Sequence, residues 1–369
     1  MARPESVTRI VSLDSLRGIS ALLVVCYHCT MAIPGLRDRV AATIVLLPFV
    51  LGPSAVLVFF ALSGFVLYLT FEASDRFVYT TYIIKRFARI YPPLAAAILA
   101  SAGLYLLIEP RPTPELSDWF NGSSWQIYPT LTVLLGHLAL LDGGINQGLD
   151  NVIWSLVHEV RISIIFPLIA LCVRRHWPAT IIATLAMTVF ARRYDLSAGS
   201  TFDLVATSQY VFLFAAGATL ASKAATLQRW GEQPSGWWFG AATLAIGAVL
   251  ISQTLTISAI ATSIGAVCLV AASFAHPPTR RALSVAPLIW LGRVSYSLYL
   301  IHLLILLVLV HGLHGIVPVP VLIILVLPVS LFLAEPVYRF VELPSIQLGR
   351  NLARHIMRRA QAPSIQPDI

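Results

Sequence analysis

The sequence predicts an all-α, polytopic integral membrane protein with about ten transmembrane helices and one short re-entrant or interfacial segment. Three observations predict it. The chain is 57% hydrophobic and only 11% charged, with a mean hydropathy of +0.81, more apolar surface than a soluble domain of 369 residues can hide. Its apolar runs recur at about the 20 residues needed to cross a hydrocarbon core of ~30 Å. Its basic residues fall in short clusters between those runs, the pattern that sets membrane topology. The formal charge of +8 therefore does not read as a nucleic-acid-binding face.

Taken in order, the expected spans are Arg17 to Pro34, Thr43 to Phe71, Ile90 to Ile108, Val152 to Val173 and a short Trp177 to Ala191. Phe202 to Ala221, Trp237 to Gln253, Leu255 to Ala275, Leu288 to His311 and Ile316 to Val341 complete the ten. Tyr128 to Leu141 is too short to span and is interrupted by Gly136-His137, so it reads as re-entrant or interfacial. Charge supports this count. With the N-terminus inside, Arg3, Arg9, Arg76, Lys85, Arg86, Arg89, Arg174, Arg175, Lys223, Arg229, Arg280, Arg281 and the tail arginines fall on the cytoplasmic side. Only Arg37, Arg39, Arg111, Arg192 and Arg193 fall outside. One more span at 128–141 would invert everything after it.

The longest connection, Glu109 to Asn151, carries Trp119, Trp125 and Tyr128. It suits either a lid over an acceptor site or an ordered loop with interfacial tryptophan anchors. Residues 1–349 form the expected membrane domain and 350–369 a basic cytoplasmic tail, expected to lie on the anionic inner leaflet. The first apolar run does not read as a cleaved signal peptide, because a histidine interrupts it. No internal repeat is visible. The four cysteines, Cys26, Cys29, Cys172 and Cys268, all lie in apolar runs and read as buried, inert thiols.

That interrupting histidine is His28. It stands eleven residues after Arg17, about three turns and roughly 16 Å further along one face of a helix. With Arg17 at the membrane edge, His28 falls near mid-bilayer. A titratable ring there is costly and marks a functional site; a histidine satisfied by a neighbouring helix is the competing reading. Glu159, about two turns into the fourth span, is costly in the same way. It suits either a role beside the imidazole or a packing pair with Arg161 or a neighbouring helix. Arg86 and Arg89, three apart, can face one ligand together.

Six stretches, in order and over nearly the whole chain, carry a resemblance. They are Leu13-Asp14-x-Leu16-Arg17-Gly18 followed by His28, Phe59-Phe60-x-Leu62-Ser63-Gly64-Phe65, and Lys85-Arg86-x-x-Arg89-Ile90-x-Pro92 leading into the third span. Trp154-Ser155-Leu156-x-x-Glu159, Leu291-Gly292-x-x-Ser295-Tyr296-x-x-Tyr299-Leu300-x-His302 and Glu335-x-x-Tyr338-x-x-x-Glu342-x-Pro344 follow. Together they resemble the membrane acyltransferase-3 family.

The resemblance implies an inner-membrane O-acyltransferase that moves an acyl group, usually acetyl, from acyl-CoA to a hydroxyl of a carbohydrate. Macrolides and other small molecules are acceptors in some branches. It makes His28 the general base, a role that suits a neutral imidazole. Glu159 would orient or charge-stabilise it, and Arg17, Arg86 and Arg89 would hold the CoA phosphates from the cytoplasmic side. No metal is expected. His311-x-x-His314 lacks a third nearby ligand.

Ser63 has no nucleophile-elbow context and reads as a packing residue. His302 reads as structural or cavity-lining, and Glu335, Arg339 and Glu342 as an ion-pair ladder. Two further classes compete with the enzyme. One is a transporter of a carbohydrate or lipid-linked intermediate; the other is a non-catalytic assembly partner.

Overall fold

The computed structural model describes residues 10–43, 46–73, 77–140, 148–193, 204–252 and 259–361. Arg3, Arg9, Arg76, Leu141, the expected span ends at Phe202, Gln253 and Leu255, and residues 362–369 of the tail lie outside the described residues.

The order of elements is α1 (Val11–Ala32), α2 (Leu36–Ala41), α3 (Gly52–Glu72), α4 (Tyr79–Ile108), α5 (Asp118–Ser123), α6 (Leu131–Ala139) and α7 (Ile153–Arg193). Then come α8 (Leu204–Ser222), α9 (Ala224–Gly231), α10 (Pro234–Ser252), α11 (Ala259–Ala275), α12 (Pro277–Ala282), α13 (Ala286–Leu313), α14 (Val319–Val337) and α15 (Leu343–Gln361). No strand interrupts them among the described residues. Among the described residues, eight helical stretches are long and apolar enough to cross a membrane, and α11 is a shorter apolar helix.

The longest of these, α7, is broken at His176, whose backbone (φ −155°, ψ 73°) is not helical. Its arms are the fourth and fifth expected spans, divided beside the Arg174-Arg175 interruption that separates them in the sequence. Counting both arms, ten apolar helical segments match the ten expected. The protein is a multi-pass membrane protein.

Several boundaries differ from expectation. The first span starts at Val11, six residues before Arg17, and ends four residues after His28. His28 therefore sits about one turn from the end of α1 rather than at its middle. The third span begins at Tyr79, so Lys85, Arg86 and Arg89 lie on α4 itself rather than before it. Pro92 and Pro93 are accommodated inside this helix, although proline usually marks a boundary.

Beyond α14 the chain makes a π-turn, Tyr338–Glu342, and enters α15. Residue 350 therefore lies inside a continuous helix, and Gly349 packs against Ala88 of α4. Of the cysteines, Cys26 is buried but Cys172 is exposed; all four are free thiols.

Close approach at glycine sets the central packing. A Cβ on Gly18 would meet the Gly292 backbone nitrogen at 2.5 Å, and one on Gly292 would meet the Asp14 carbonyl oxygen at 2.3 Å. The α1 and α13 backbones are in contact there, which only glycine permits. Ten residues further along both helices, His28 meets His302. Both pairs are 274 residues apart (18 to 292 and 28 to 302), so the two helices run in the same direction.

That constrains topology. Among the described residues seven crossings lie between α1 and α13: α3, α4, the two arms of α7, α8, α10 and α11. An odd number between two helices makes them parallel; one more would make them antiparallel. The nine-residue α6, only about 14 Å long, accordingly does not cross.

Candidate functional site

A cavity opens among α1, α3, α4, α7 and α13, lined at one end by Arg17, Ser63, Arg86, Arg89 and Glu159 and at the other by Phe59 and Tyr299. Every polar lining group except Arg89 has a definable partner. Glu159 Oε1 accepts from Ser63 Oγ and from an Arg86 guanidinium nitrogen, both at 2.9 Å. The same Arg86 nitrogen donates to Ser163 Oγ at 2.8 Å. The two charged side chains are 15% and 20% exposed, so each supplies the counter-charge that makes the other tolerable. Arg17 donates to Asp14, one turn before it, at 3.0 Å.

Arg89 differs. It lines the cavity without a hydrogen-bond or ion-pair partner among the described residues, although Glu342 and Glu159 are near enough to act on it electrostatically. The expected Arg86 and Arg89 pair is thus divided: one guanidinium is spent on a carboxylate and a hydroxyl, and the other faces the cavity.

The motif stretches explain one another here. In the α3 stretch, Ser63 serves Glu159, while Gly64 lets α3 touch the Phe214 backbone of α8, where a Cβ would sit 2.2 Å from its carbonyl oxygen. In the α13 stretch, Gly292 meets α1, Tyr296 donates to the Ile90 carbonyl at 2.8 Å, and Tyr299 is 2.7 Å from Ser155 Oγ. Glu342 does not join the expected ladder. Arg339 reaches Glu335 at 2.5 Å, but Glu342 is buried and accepts from Ser297 at 2.7 Å. The π-turn holding both residues adds a residue per turn and rotates Glu342 away from Arg339.

Beyond Phe59 and Tyr299 lies the histidine pair. His28 Nδ1 is 2.8 Å from His302 Nε2, and His302 Nδ1 is 2.7 Å from the Tyr299 carbonyl oxygen. A carbonyl only accepts, so His302 carries its proton on Nδ1 and presents a lone pair at Nε2. Only one proton fits between the rings, and it belongs to His28 Nδ1. This assignment follows from the bonding network and leaves the lone pair of His28 on Nε2.

Trp119 of α5 stacks on His28 with ring centres 5.2 Å apart and planes within 7°. The connection between α4 and α7 is fastened over this end of α1. Ser117 donates its N–H to the Ala32 carbonyl (2.9 Å) and its hydroxyl to the Met31 carbonyl (2.6 Å). Trp125, with φ +58°, donates its indole N–H to Ser101 at 2.9 Å and stacks on His311. His137 ties α6 to the following turn by accepting from the Leu149 N–H at 3.1 Å. His314 is 3.3 Å from a carboxylate oxygen of Glu115 in this connection. No group of metal-ligating side chains occurs among the described residues.

Arg17, Arg86, Arg89 and Glu159 therefore come together in one cavity, while His28 stands beyond its far end with His302 as partner. The Nδ1 position where a carboxylate would orient the imidazole is taken by His302, and Glu159 is engaged by Arg86 and Ser63. His158 instead faces α8, 3.0 Å from Thr207 Oγ1.

Sequence reasoning did not find Trp119 stacked on His28, nor Asp150. The latter is 2% exposed, accepts from the Val152 N–H at 3.2 Å, and is pushed by burial to a pKa of about 7. The signal for His302 was present: a histidine in an apolar run, in register with His28 once the two glycines are paired.

Fold and site define a polytopic membrane protein whose core joins a cationic cavity to a hydrogen-bonded histidine pair beneath a docked loop. The chain belongs to the acyltransferase-3 family, whose model, described as an acyltransferase domain, matches residues 10–338. It is also similar to a protein of Streptomyces mycarofaciens named acyltransferase MdmB, at 36% identity over 167 residues. That match covers 45% of this chain and 40% of the relative, so the chain spans about two fifths of the relative's length. No solved structure matches the chain.

Proposed function

We propose that this protein is an inner-membrane O-acyltransferase. It transfers an acyl group, acetyl by family precedent, from acyl-CoA to a hydroxyl of a carbohydrate acceptor, with His28 as general base. The observation that carries this reading is the proton order of the histidine pair, which leaves the lone pair on His28 Nε2.

The base takes the acceptor's hydroxyl proton as the alkoxide oxygen bonds to the thioester carbonyl carbon. The C–S bond then breaks, and the proton passes from His28 to the departing thiolate, giving the ester, CoA thiol and a neutral imidazole. His302 is a positioning residue: it fixes the tautomer and orientation of His28, the role a carboxylate fills in a serine-hydrolase triad. Among the described residues no nucleophilic side chain is hydrogen-bonded to His28, whose ring is bonded to His302, which favours direct transfer over an acyl-enzyme.

Donor and acceptor approach from opposite sides. Both termini are read as cytoplasmic, so the cationic cavity faces the compartment that holds CoA. Arg17, with Arg89 beside it, stands roughly 16 Å from His28 along α1, a gap suited to the long flexible arm between CoA's phosphates and its thioester. Trp119 and the connection it belongs to cover the acceptor side and shield the base from water.

The test is mass spectrometry of envelope and secreted glycans from cells with the gene intact and deleted. An ester-sized increment that disappears on deletion supports the proposal and names the acceptor. Such an increment on a secreted small molecule overturns the carbohydrate reading and keeps the transferase. Altered glycan export with no ester lost overturns the transferase in favour of a transporter.

A further inference from the structure

A second, open recess lies against the cavity at its arginine end and shares Val66, Arg86 and Arg89 with it. Its remaining cationic wall comes from Lys85 of α4 and from Arg350 and Arg354 of α15. Arg350 and Arg354 lie beyond 338, where the family match ends, whereas Lys85 lies within it.

Three features make this recess more than a basic surface. First, it is one-signed: its lining includes five cations, Lys85, Arg86, Arg89, Arg350 and Arg354, and no carboxylate, so their fields add. Second, the cations are largely uncommitted. Arg86 is held by Glu159, but Lys85, Arg89 and Arg350 have no counter-charge bonded to them among the described residues, and Arg354 donates only to the neutral Asn351. Third, the wall is built close. A Cβ on Gly349 would lie 2.4 Å from the Ala88 Cβ, so only glycine lets α15 lie against α4 and bring Arg350 beside Lys85. The tail helix thus packs along α4 and forms one wall of the recess that adjoins the cavity.

We infer that Lys85, Arg350 and Arg354 bind the phosphorylated nucleotide end of the acyl donor, and that α15 confers a preference for donors carrying the 3′-phosphate. This deepens the transferase reading and rests on it. An anionic lipid headgroup offers the same phosphate chemistry to the same arginines. The continuity of the recess with the cavity through Arg89 favours the donor, because a lipid phosphate has no reason to adjoin it.

The test uses the full-length protein in nanodiscs of phosphatidylcholine, with CoA and 3′-dephospho-CoA as calorimetric probes. Arg350→Gln/Arg354→Gln is expected to weaken CoA binding about tenfold or more, as lost charge-assisted hydrogen bonds do, and to weaken dephospho-CoA binding several-fold less. Gly349→Leu, which removes no charge but pushes α15 off α4, is expected to do the same.

Equal weakening for both probes overturns the 3′-phosphate preference, and unchanged CoA binding in both variants overturns the inference altogether. An effect seen only as lower stability in discs containing phosphatidylglycerol, with CoA affinity intact, assigns the arginines to lipid and overturns it too. A wild-type protein that binds neither probe rejects the acyl-CoA reading itself, an outcome distinct from failure of the α15 variants alone.

Discussion

Substituting Gly292 by alanine probes the whole arrangement from a position that touches no substrate. The new Cβ would lie 2.3 Å from the Asp14 carbonyl oxygen and 2.5 Å from its carbon, both backbone atoms within a helix. Nothing there can rotate aside, so α1 and α13 must separate. Ordinary contact begins at 3.4 Å, which leaves a shortfall of about 1.1 Å. Carried ten residues along two packed helices, that shift stretches the His28–His302 contact from 2.8 Å to nearly 4 Å, beyond a hydrogen bond.

Overpacking of this kind costs ~1–3 kcal/mol of stability, and a misplacement of ~1 Å at a reacting group costs about 10²-fold in rate. The assay is kcat for acyl transfer alongside thermal unfolding in detergent. Gly312→Ala serves as control: it lies on the same helix, where a Cβ meets nothing within 4 Å. A folded Gly292→Ala protein with wild-type kcat would refute the reasoning that the glycine contact sets the histidine pair.

The remaining predictions concern single side chains. His302→Ala should lower kcat by about 10²- to 10⁴-fold with donor KM unchanged, and His302→Gln should recover part of it, because an amide oxygen can accept from His28 Nδ1; equal loss in both variants would rule out the tautomer argument. Glu159→Gln leaves Arg86 buried without its counter-charge and should cost ~3–5 kcal/mol, whereas Glu159→Gln/Arg86→Met should recover most of it. Unfolding temperatures that match wild type for the single variant would show that the pair does not carry this load.

Asp150, pushed by burial from 3.8 to a pKa of about 7, binds its proton more tightly folded than unfolded. Its contribution is therefore fully present below pH ~4 and is lost as pH rises through about 7. Unfolding temperatures at pH 5 and pH 8 should differ in the wild type and converge in Asp150→Asn; an unchanged pH dependence would exclude Asp150 as its source.

What the sequence made legible was the part governed by hydropathy. The spans emerged because a bilayer demands about 20 apolar residues per crossing, and the break in α7 emerged because Arg174-Arg175-His176 interrupts one. The start of α4 did not, because Lys85, Arg86 and Pro92 all imitate a helix boundary, and the partners that accommodate Arg86 inside the helix, Glu159 and Ser163, lie far away in sequence. The π-turn left no local trace, so the seven-residue spacing of Glu335 and Glu342 suggested a shared face that one extra residue removed.

The candidate residues were legible as types, costly charges in apolar runs, but their pairings were not. Glu159 had Arg161 as a near neighbour in sequence and met Arg86 in space. His28 met His302 across 274 residues, a partnership fixed by two glycines whose role is visible only when both helices are placed.

The central claim is that His28 supplies the lone pair for acyl transfer, and the most direct measurement is the ester-forming rate of His28→Gln in protein that still binds CoA. Glutamine keeps a donor toward His302 but provides no base. Wild-type CoA affinity and unfolding temperature, with ester formation reduced to background, are the expected result. Ester formation persisting near the wild-type rate in that folded, CoA-binding protein would contradict it.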